Sequence, residues 1–389
     1  MKLNIAIIFG GKSPEHEISI ISANQAMHAL NKDKYNLIPI YISKSQKFYT
    51  GNDLLNLKNY SNLSVLESKL TNINIVRIDN KTYINSVNKS LFNKGINEVI
   101  DIAIPVMHGL NGEDGNLAGY LNMLNIPFAG CDTTSAAVGQ DKVIQKCIID
   151  TNSISTCPWF WLYEFDFDDN QEHYCNKAND LGYPVIIKPS KLGSSIGIKI
   201  AHNKDEFIEY IKECGQYDSK LLIEKAIKNL VEINISILGN TKKYELSVTE
   251  QVVKNDEILS FTDKYQGNGK GSKSKGTKSK GMASTSRIVP APIAQEQIKF
   301  IEDQATKAFK ALGCSGVCRI DFMLDKDTNN IYLTEVNTIP GSLAFYLWKE
   351  KNVEFDELLD KLISIAIDNK RSNEKLLTSF DTNILKTFG

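Results

Sequence analysis

The chain has 389 residues, which is too long for one ordinary hydrophobic core and predicts two or three domains. Apolar residues make up 42%, charged residues 23%, and the formal net charge is −1. This composition is typical of a globular protein and favours neither a nucleic-acid partner nor an anionic membrane. No apolar run approaches the roughly 18–20 residues that a membrane-spanning helix requires.

The N-terminus and the cysteines both bear on location. The apolar run at 3–9 is short and is followed by glycines and acidic residues, so it predicts a buried first strand of a parallel sheet rather than a signal peptide. Seven cysteines are scattered along the chain, and the closest pair, Cys314 and Cys318, lacks a second pair for zinc. We therefore expect reduced, buried thiols and a cytoplasmic protein.

The first domain is predicted over residues 1–131. Ser13-Pro14 favours a helix start, because Ser is a good N-cap and Pro suits the first helical position. Residues 50–95 are rich in Asn, Lys and Ser with weak periodicity, which indicates a variable, largely peripheral stretch. The expected elements are a strand at 3–9, a helix with a buried stripe of Ile20, Ala23, Met27 and Leu30, strands at 37–42 and 99–106, a helix at 117–124 and a short strand at 126–130.

Two further domains are predicted, at 132–228 and 229–389. The stretch Gly267–Gly281 contains only Gly, Ser, Thr, Asn and Lys, and it is either a solvated basic loop or a mobile lid whose lysines approach nucleotide phosphates. A polar tail follows residue 368. The expected elements are a helix at 139–150, strands at 184–189, 196–201 and 220–225, strands within 230–260 and 317–336, and a helix at 294–311.

The strongest candidate site is a predicted β-hairpin near the C-terminus. Because side chains alternate along a strand, Arg319 and Asp321 share one face of the first strand. Glu335 and Asn337 share one face of the returning strand in the same way. If these faces meet, three oxygen-bearing side chains suit Mg²⁺, and the arginine suits a developing oxyanion. Gly341 follows in a turn that presents its N–H to the same place; an exposed polar hairpin face is the alternative.

A second candidate site combines a lysine with a glycine- and serine-rich turn. Lys188 ends a predicted strand, and Gly193–Gly197 follows, where successive N–H groups can wrap phosphate oxygens. The order differs from a P-loop, because the lysine precedes the glycines. The strand at 221–227 runs toward a hinge where its backbone suits an adenine edge, and Glu232 suits a ribose hydroxyl.

A third candidate site lies in N-terminal loops. Glu15 stands in the first turn of a helix, where it either caps the helix dipole or faces a bound ammonium group. His108 and Glu113 lie in a glycine-rich loop, where binding residues are common, although a loop histidine can also be structural.

Six motifs in one order resemble the D-alanine–D-alanine ligase family of the ATP-grasp superfamily. The resemblance covers about residues 3–345, with little support in 50–95 and 266–286. It implies an α/β fold, α+β in the ATP-binding part, that joins an ATP-grasp unit to an N-terminal parallel-sheet, Rossmann-like domain. The motifs are Phe9–Ser19, His108–Gly115, Gln140–Lys142, Lys188–Ser190 with Gly193–Gly197, Arg319–Phe322 and Glu335–Gly341.

The resemblance also implies a role for each matching residue. Glu15 would bind the ammonium group of the first amino acid and connect through Ser194 to Tyr265, with His108 and Glu113 beside the same substrate. Arg319 and the Gly341 N–H would stabilise the tetrahedral intermediate. Two Mg²⁺ ions, with Mn²⁺ as an alternative, would be held by Asp321, Glu335 and Asn337. ATP would be held by Lys142, Lys188, Ser194, Glu224, Lys225, Ile227 and Glu232.

The implied reaction joins two D-alanines for peptidoglycan synthesis. The first carboxylate attacks the γ-phosphate of ATP and forms an acyl phosphate, and the amine of the second amino acid then displaces phosphate. The resemblance further implies a homodimer formed through the N-terminal domain.

The chain departs from the family pattern in two places. The family's Lys-Tyr lid pair matches Lys264-Tyr265, but here the lid continues into the Gly/Ser/Lys stretch. The segment 342–348, Ser-Leu-Ala-Phe-Tyr-Leu-Trp, replaces a small, hydroxyl-rich stretch that holds the acceptor's carboxylate, so its aromatic residues are expected to reshape the acceptor pocket. A ligase with another acceptor, or a nucleotide-binding relative without turnover, therefore remain alternatives.

Overall fold

The computed structural model describes residues 2–88, 95–253, 287–382 and 384–388. Three sheets organise these residues, and the first has the order β6-β5-β4-β3-β2-β1-β7. Its strands are β1 (Leu3–Gly10), β2 (Tyr35–Ile42), β3 (Phe48–Thr50), β4 (Thr71–Ile78), β5 (Lys81–Ser86), β6 (Asn97–Val99) and β7 (Ile102–Val106). Its helices are α1 (His16–Ala29), α2 (Leu63–Lys69) and α3 (Asn116–Met123).

Strand β1 is the centre of the parallel part of this sheet. It pairs in parallel with β2 on one side and with β7 on the other, and residues 5–9 are completely buried. The prediction of a buried first strand is therefore confirmed. The predicted strand at 99–106 is divided into β6 and β7, and the short strand at 126–130 is reduced to one parallel bridge between Ala103 and Phe128.

The prediction that residues 50–95 are peripheral is wrong for most of that stretch. Strands β3, β4 and β5 extend the sheet antiparallel from β2, and Leu54, Leu66, Ile73 and Ile84 enter hydrophobic cores. The reason is visible in β4, where buried isoleucines alternate with polar residues. A half-exposed strand near a sheet edge buries only one face, so its average composition stays polar.

Helix α1 begins later than predicted. Glu15 occupies the N-cap position without a side-chain cap, and the Ser13 hydroxyl instead accepts the Glu15 N–H at 3.0 Å. The Ser-Pro pair therefore forms the turn before the helix, which places the Glu15 carboxylate beyond the helix end. The predicted buried stripe on α1 is confirmed.

The second sheet, in the order β10-β9-β11-β8, is antiparallel. The predicted helix at 139–150 is in fact two helices broken at Asp141, whose carboxylate accepts the N–H groups of Val143 and Ile144, both at 3.2 Å. The elements are α4 (Thr133–Gln140), α5 (Lys142–Thr151), β8 (Trp159–Tyr163), α6 (Gln171–Leu181), β9 (Val185–Pro189), β10 (Lys199–Ala201), α7 (Lys204–Gly215) and β11 (Lys220–Lys225).

The third sheet has the order β15-β14-β12-β16-β17, with β13 paired to β12. Helix α8 covers it, and α9 packs into the same hydrophobic core as β1, so the C-terminal part of the chain buries the N-terminal sheet. The elements are β12 (Leu230–Gly239), β13 (Tyr244–Leu246), β14 (Glu250–Val252), β15 (Arg287–Ile288), α8 (Gln295–Ala311), β16 (Gly316–Asp325), β17 (Ile331–Asn337) and α9 (Phe355–Asn373).

Two further expectations concern the C-terminal end and membranes. Helix α9 continues to Asn373, so the predicted polar tail after 368 begins later than expected. Within the described residues, every helix falls short of the length and apolar content that crossing a membrane requires. The predicted lid, including Tyr265 and Gly267–Gly281, lies outside the described residues.

Candidate active site

One cleft collects most of the predicted site residues from the three parts of the chain that carry the sheets. Asp321 lies directly beside it, bonded to Arg319, whereas Lys188 and Glu224 form a separate buried cluster. Lys225 is exposed at the end of β11, and Tyr265 lies outside the described residues. The predicted residues that line the cleft are Glu15, His108, Glu113, Lys142, Ser194, Glu232, Arg319, Glu335, Asn337 and Gly341.

The β16–β17 hairpin brings its two polar faces together as predicted. Arg319 lies opposite Asn337 and Asp321 lies opposite Glu335 in the strand register. The Arg319 guanidinium donates two hydrogen bonds to Asp321, from Nε to Oδ1 at 2.7 Å and from Nη2 to Oδ2 at 2.6 Å. Asn337 Nδ2 donates to Asp321 Oδ2 at 3.0 Å, so its amide oxygen is directed away from that carboxylate. The exposed-face alternative does not hold, because Arg319 and Asp321 are buried.

The donor set of this hairpin fits a hard cation. Burial raises the pKa of Asp321 to about 6, against the opposing effect of Arg319 and with a further increase from Glu335. Two carboxylates and an amide oxygen are the ligand types that Mg²⁺ takes. Since Arg319 already donates to both oxygens of Asp321, a cation there would share that carboxylate with the guanidinium.

The Glu15 carboxylate lies between two glycine-containing loops. The Ser194 hydroxyl donates a hydrogen bond to Glu15 Oε1, which joins the first sheet to the glycine-rich turn after β9. A Cβ atom on Gly109 would lie 2.5 Å from Glu15 Oε2, and one on Gly193 would lie 3.1 Å from it. The close approach therefore depends on glycine at 109, whose φ of +71° also favours glycine.

His108 is a buried residue that holds the backbone around Gly341. Its Nδ1 lies 2.9 Å from the Ile339 carbonyl oxygen, which can only accept, so Nδ1 carries the proton. Its Nε2 then accepts the Ser22 hydroxyl at 2.9 Å, and Ser22 Oγ accepts the Ser342 N–H at 2.9 Å. Burial lowers the pKa of His108 to about 4, so the ring is neutral at physiological pH.

Glu113 supports the loop that contains His108 and Gly109. Its Oε2 accepts the Gly109 N–H at 2.7 Å. Burial, together with the nearby Glu15 carboxylate, raises the pKa of Glu113 to about 8. Glu113 therefore retains a proton near neutral pH, which limits charge repulsion between the two carboxyl groups.

Lys142 lines the cleft, whereas Lys146, Lys188 and Glu224 form a buried cluster outside the lining. Lys142 Nζ donates to the Leu192 carbonyl at 2.6 Å and lies 3.8 Å from Glu335. Glu224 pairs with Lys188 at 2.6 Å and with Lys146 at 2.7 Å. Burial alone would raise the pKa of Glu224, but the two ammonium groups outweigh it and lower the pKa to about 2. The side chain of Glu224 thus orders two lysines.

Three residues outside the predicted set line the cleft or pair with predicted residues: Glu250 and Arg287 line it, and Lys146 pairs with Glu224. Lys146 lies one helical turn after Lys142, a spacing that could have indicated it. Glu250 pairs with Arg287 at 2.8 Å, and the Arg287 guanidinium lies 3.8 Å from the centre of the Tyr346 ring. Glu250 and Arg287 lie on separate strands far apart in the sequence, so no local pattern indicated their contact.

The segment 342–348 forms a left-handed turn at the inner end of the cleft. Ser342, Leu343 and Ala344 have φ angles of 54°, 51° and 50°. The expectation that its aromatic residues reshape the acceptor pocket stays a prediction, and Tyr346 approaches the cleft through its contact with Arg287, which lines it. Trp348 is fully buried in the core, and Phe345 stacks on Phe355 with ring centres 4.4 Å apart.

Comparison with known proteins identifies the family. Residues 4–131 match the family described as D-ala D-ala ligase N-terminus, and residues 148–364 match D-ala D-ala ligase C-terminus. A D-alanine–D-alanine ligase of Thermosipho melanesiensis is 37% identical, over 99% of this chain and 98% of that protein.

Solved structures agree with that assignment and confirm the predicted ATP-grasp fold. The D-alanine–D-alanine ligase of Coxiella burnetii has a TM-score of 0.79 and 26% identity, over 100% of this chain and 99% of that one. The VanG D-Ala:D-Ser ligase of Enterococcus faecalis has a TM-score of 0.77 and 27% identity, over 94% and 100%. The chain belongs to the D-alanine–D-alanine ligase family.

Proposed function

We propose that this protein is an ATP-dependent, ADP-forming ligase that joins two D-alanines through an acyl phosphate for peptidoglycan synthesis. The observation that carries the proposal is the convergence of two groups of residues on one cleft. Glu15 and Ser194 lie on one side, and the Arg319–Asp321 pair with Glu335 and Asn337 lies on the other.

ATP binding is proposed for Lys142, Lys188 and the glycine-rich turn. Lys142 and Lys188 would neutralise phosphate charge, and the N–H groups of Gly193–Gly197 would contact phosphate oxygens. Ser194, Glu232 and the backbone of 224–227 would complete the nucleotide site, with Lys225 at its edge. Two Mg²⁺ ions, or Mn²⁺, held by Asp321, Glu335 and Asn337, would supply further neutralisation of the transferring phosphoryl group.

The first amino acid is proposed to bind at Glu15. Its ammonium group would pair with the Glu15 carboxylate, which the Ser194 hydroxyl orients. The predicted connection onward to Tyr265 remains part of the proposal. Glu113 and neutral His108 would act as positioning residues, because both bond to the backbone of the loops that surround this substrate.

Peptide-bond formation is proposed to depend on Arg319 and the Gly341 N–H. When the second amine attacks the acyl phosphate carbon, negative charge develops on the carbonyl oxygen, and a guanidinium already fixed by Asp321 can neutralise it without reorganising. The amine nitrogen forms the new bond, and the carbon–oxygen bond to phosphate breaks. Because His108 holds the Ile339 carbonyl and, through Ser22, the Ser342 N–H, the Gly341 backbone is positioned from both sides.

The acceptor is the least constrained part of the proposal. Arg287 lines the cleft and lies against the Tyr346 ring, where the pair would border the acceptor, and the VanG relative is described as a D-Ala:D-Ser ligase. A different acceptor amino acid is therefore the second candidate. A binding protein without turnover is disfavoured, since it would not need both an oxyanion arginine and two metal-binding carboxylates.

Phosphate release from ATP and Mg²⁺, with products identified by mass, tests the function. D-Ala, L-Ala, D-Ser, D-lactate and no amino acid are compared. Release with D-Ala and formation of D-Ala–D-Ala supports the proposal. Faster turnover with another acceptor would identify that compound as the preferred substrate, and no phosphate release with any of them would refute the proposal that the protein is a ligase.

Two variants test the assignment of residues. Glu335→Gln and Arg319→Ala should each abolish turnover, while the arginine variant should still bind ATP. Glu350→Gln, at an exposed position outside the cleft, is the control and should keep full turnover. Unchanged turnover in both site variants would contradict the assigned roles.

Three predictions about organisation stay proposals. The division into 1–131, 132–228 and 229–389 is testable by expressing 132–228 alone, which should fold because the second sheet has a hydrophobic core of its own. A homodimer formed through the N-terminal domain should appear in sedimentation equilibrium at twice the 43.5 kDa chain mass.

A cytoplasmic location should place the protein in the fraction released without membrane extraction.

A further inference from the structure

Three cysteines from distant parts of the chain meet in the interior. Cys131 lies at the end of the N-terminal sheet, Cys314 precedes β16, and Cys318 lies within it. All three are buried, and their sulfur atoms lie within 4.8 Å of one another. The Sγ atoms of Cys131 and Cys318 are 3.7 Å apart although the residues are 187 positions apart. The sequence spacing associates only Cys314 with Cys318, so the third member of the group was not predicted.

The backbone holds this cluster in place. Gly316 has a φ of +82°, and a Cβ atom there would lie 2.8 Å from Gly130 Cα, so the two backbones approach as closely as glycine permits. Ser315 N–H donates to Cys131 Sγ at 3.4 Å, and the Cys131 thiol lies 3.4 Å from the Ser315 carbonyl oxygen. The position of each sulfur is thus set by two chain segments that meet at close range.

The cluster is separate from the ligase site. Cys318 and Arg319 are neighbours on β16, so their side chains point to opposite faces of the sheet. Cys318 enters the hydrophobic core beneath α8, whereas Arg319 enters the cleft. Cys314 and Ser315 also border a second surface cleft, which lies on the other side of β16 from the ligase site.

We propose that Cys131, Cys314 and Cys318 bind Zn²⁺ as three thiolates. Zn–S bonds of about 2.3 Å in a tetrahedral site separate neighbouring sulfurs by about 3.8 Å, close to the spacing of Cys131 and Cys318. The Ser315 carbonyl oxygen, or a water molecule, supplies the fourth ligand. Binding releases the three thiol protons to solvent.

The site would connect the segment that follows the N-terminal sheet to the third sheet. Cys131 belongs to the segment after β7, and Cys318 pairs across the third sheet with Ile237. A cation shared by both segments binds the folded chain more tightly than the unfolded one, so it raises stability. The role is structural, because all three thiols lie on the opposite side of β16 from the reacting groups.

Cobalt substitution tests the site on the full chain. The protein is reduced, stripped with a chelator and titrated with Co²⁺ without oxygen, in excess Mg²⁺ that occupies the carboxylate site. We expect a thiolate-to-cobalt charge-transfer band that saturates at one ion per chain and disappears when Zn²⁺ is added. Carboxylate ligands do not produce that band, so its absence from the wild-type protein would overturn the proposal.

Variants assign the band to the cluster. Cys131→Ser should lose most of it, whereas Cys147→Ser, at an exposed cysteine, should retain it. Zn²⁺ should raise the Tm of the wild type and of Cys147→Ser but not of Cys131→Ser, with phosphate release unchanged in all three. An equal band in Cys131→Ser would refute the site. If that variant does not fold, zinc content of the wild-type protein decides: about one tightly held ion per chain supports the site, and none refutes it.

Discussion

Replacing Glu224 by Gln should destabilise this protein strongly. The Glu224 carboxylate is buried and pairs with Lys188 and Lys146 at 2.6 and 2.7 Å. Glutamine keeps the shape of the side chain but removes the charge, which leaves two ammonium groups in a place that water does not reach. Breaking a buried ion pair from one side typically destabilises by about 3–5 kcal/mol.

The pKa of Glu224 gives an independent magnitude. A decrease from 4.5 to about 2 corresponds to about 3 kcal/mol of favourable interaction with the ionised form. We therefore expect Glu224→Gln to lose about 3–4 kcal/mol of the free energy of unfolding. Because the folded-state pKa is lowered, this contribution is complete above pH 4.5 and is lost only as the pH falls toward 2.

Denaturant unfolding between pH 6 and 8 measures this loss. The matched control is Asp303→Asn, since Asp303 and Lys307 are also 2.7 Å apart but half exposed, so the control should lose less than about 1 kcal/mol. Lys146→Met combined with Glu224→Gln should lose less than the two single variants together, because the double variant leaves fewer unpaired charges. A loss in Glu224→Gln no larger than in the control, or one that varies between pH 6 and 8, would refute the reasoning.

Three further predictions follow from the cleft. His108→Gln should lower kcat about 10-fold or more, because it releases the Gly341 backbone. The wild type should lose stability as the pH falls from 6.5 to about 4, since the buried ring resists protonation, and the variant should not show this loss. Equal kcat and equal pH dependence in the two proteins would count against the positioning role. The wild type should lose stability as the pH rises from 4.5 to about 8, where only the unfolded Glu113 carboxyl group ionises, and Glu113→Gln should abolish this decrease. Chemical denaturation at several pH values measures the free energy of unfolding of both proteins. A parallel decrease in the variant would show that the decrease has another cause. Arg319→Lys should lower kcat by about 10²–10³ while ATP affinity changes little, because a lysine cannot reproduce the two hydrogen bonds to Asp321. Steady-state kinetics measures kcat, and nucleotide titration measures ATP affinity separately. A near-normal kcat would exclude the oxyanion role.

Local patterns were sufficient to predict the polar hairpin of the candidate site. Arg319 and Asp321 alternate along β16, and Glu335 and Asn337 alternate along β17, so two-residue periodicity alone placed four side chains on one surface. The strands within 50–95 were missed for the opposite reason. Strand β4 buries one face only, and its polar residues hid the same periodicity.

Contacts between distant segments could not be derived from the sequence. Glu15 and Ser194 are 179 positions apart, and only the family resemblance paired them. The thiol cluster had no such guide, because Cys131 lies in a segment outside the sheets, 187 positions from Cys318, and the two meet only where the Gly130 and Gly316 backbones pack. The ion pair between Glu250 and Arg287 could not be predicted either, since it depends on the pairing of strands β14 and β15.

Oxygen transfer from substrate to phosphate tests the central proposal most directly. D-alanine labelled with ¹⁸O in its carboxylate is incubated with enzyme, ATP and Mg²⁺, and the released phosphate is analysed by mass. An acyl phosphate places one carboxylate oxygen on the transferred phosphorus, so we expect one ¹⁸O in the phosphate for each dipeptide formed. Unlabelled phosphate released together with dipeptide would contradict the acyl-phosphate mechanism.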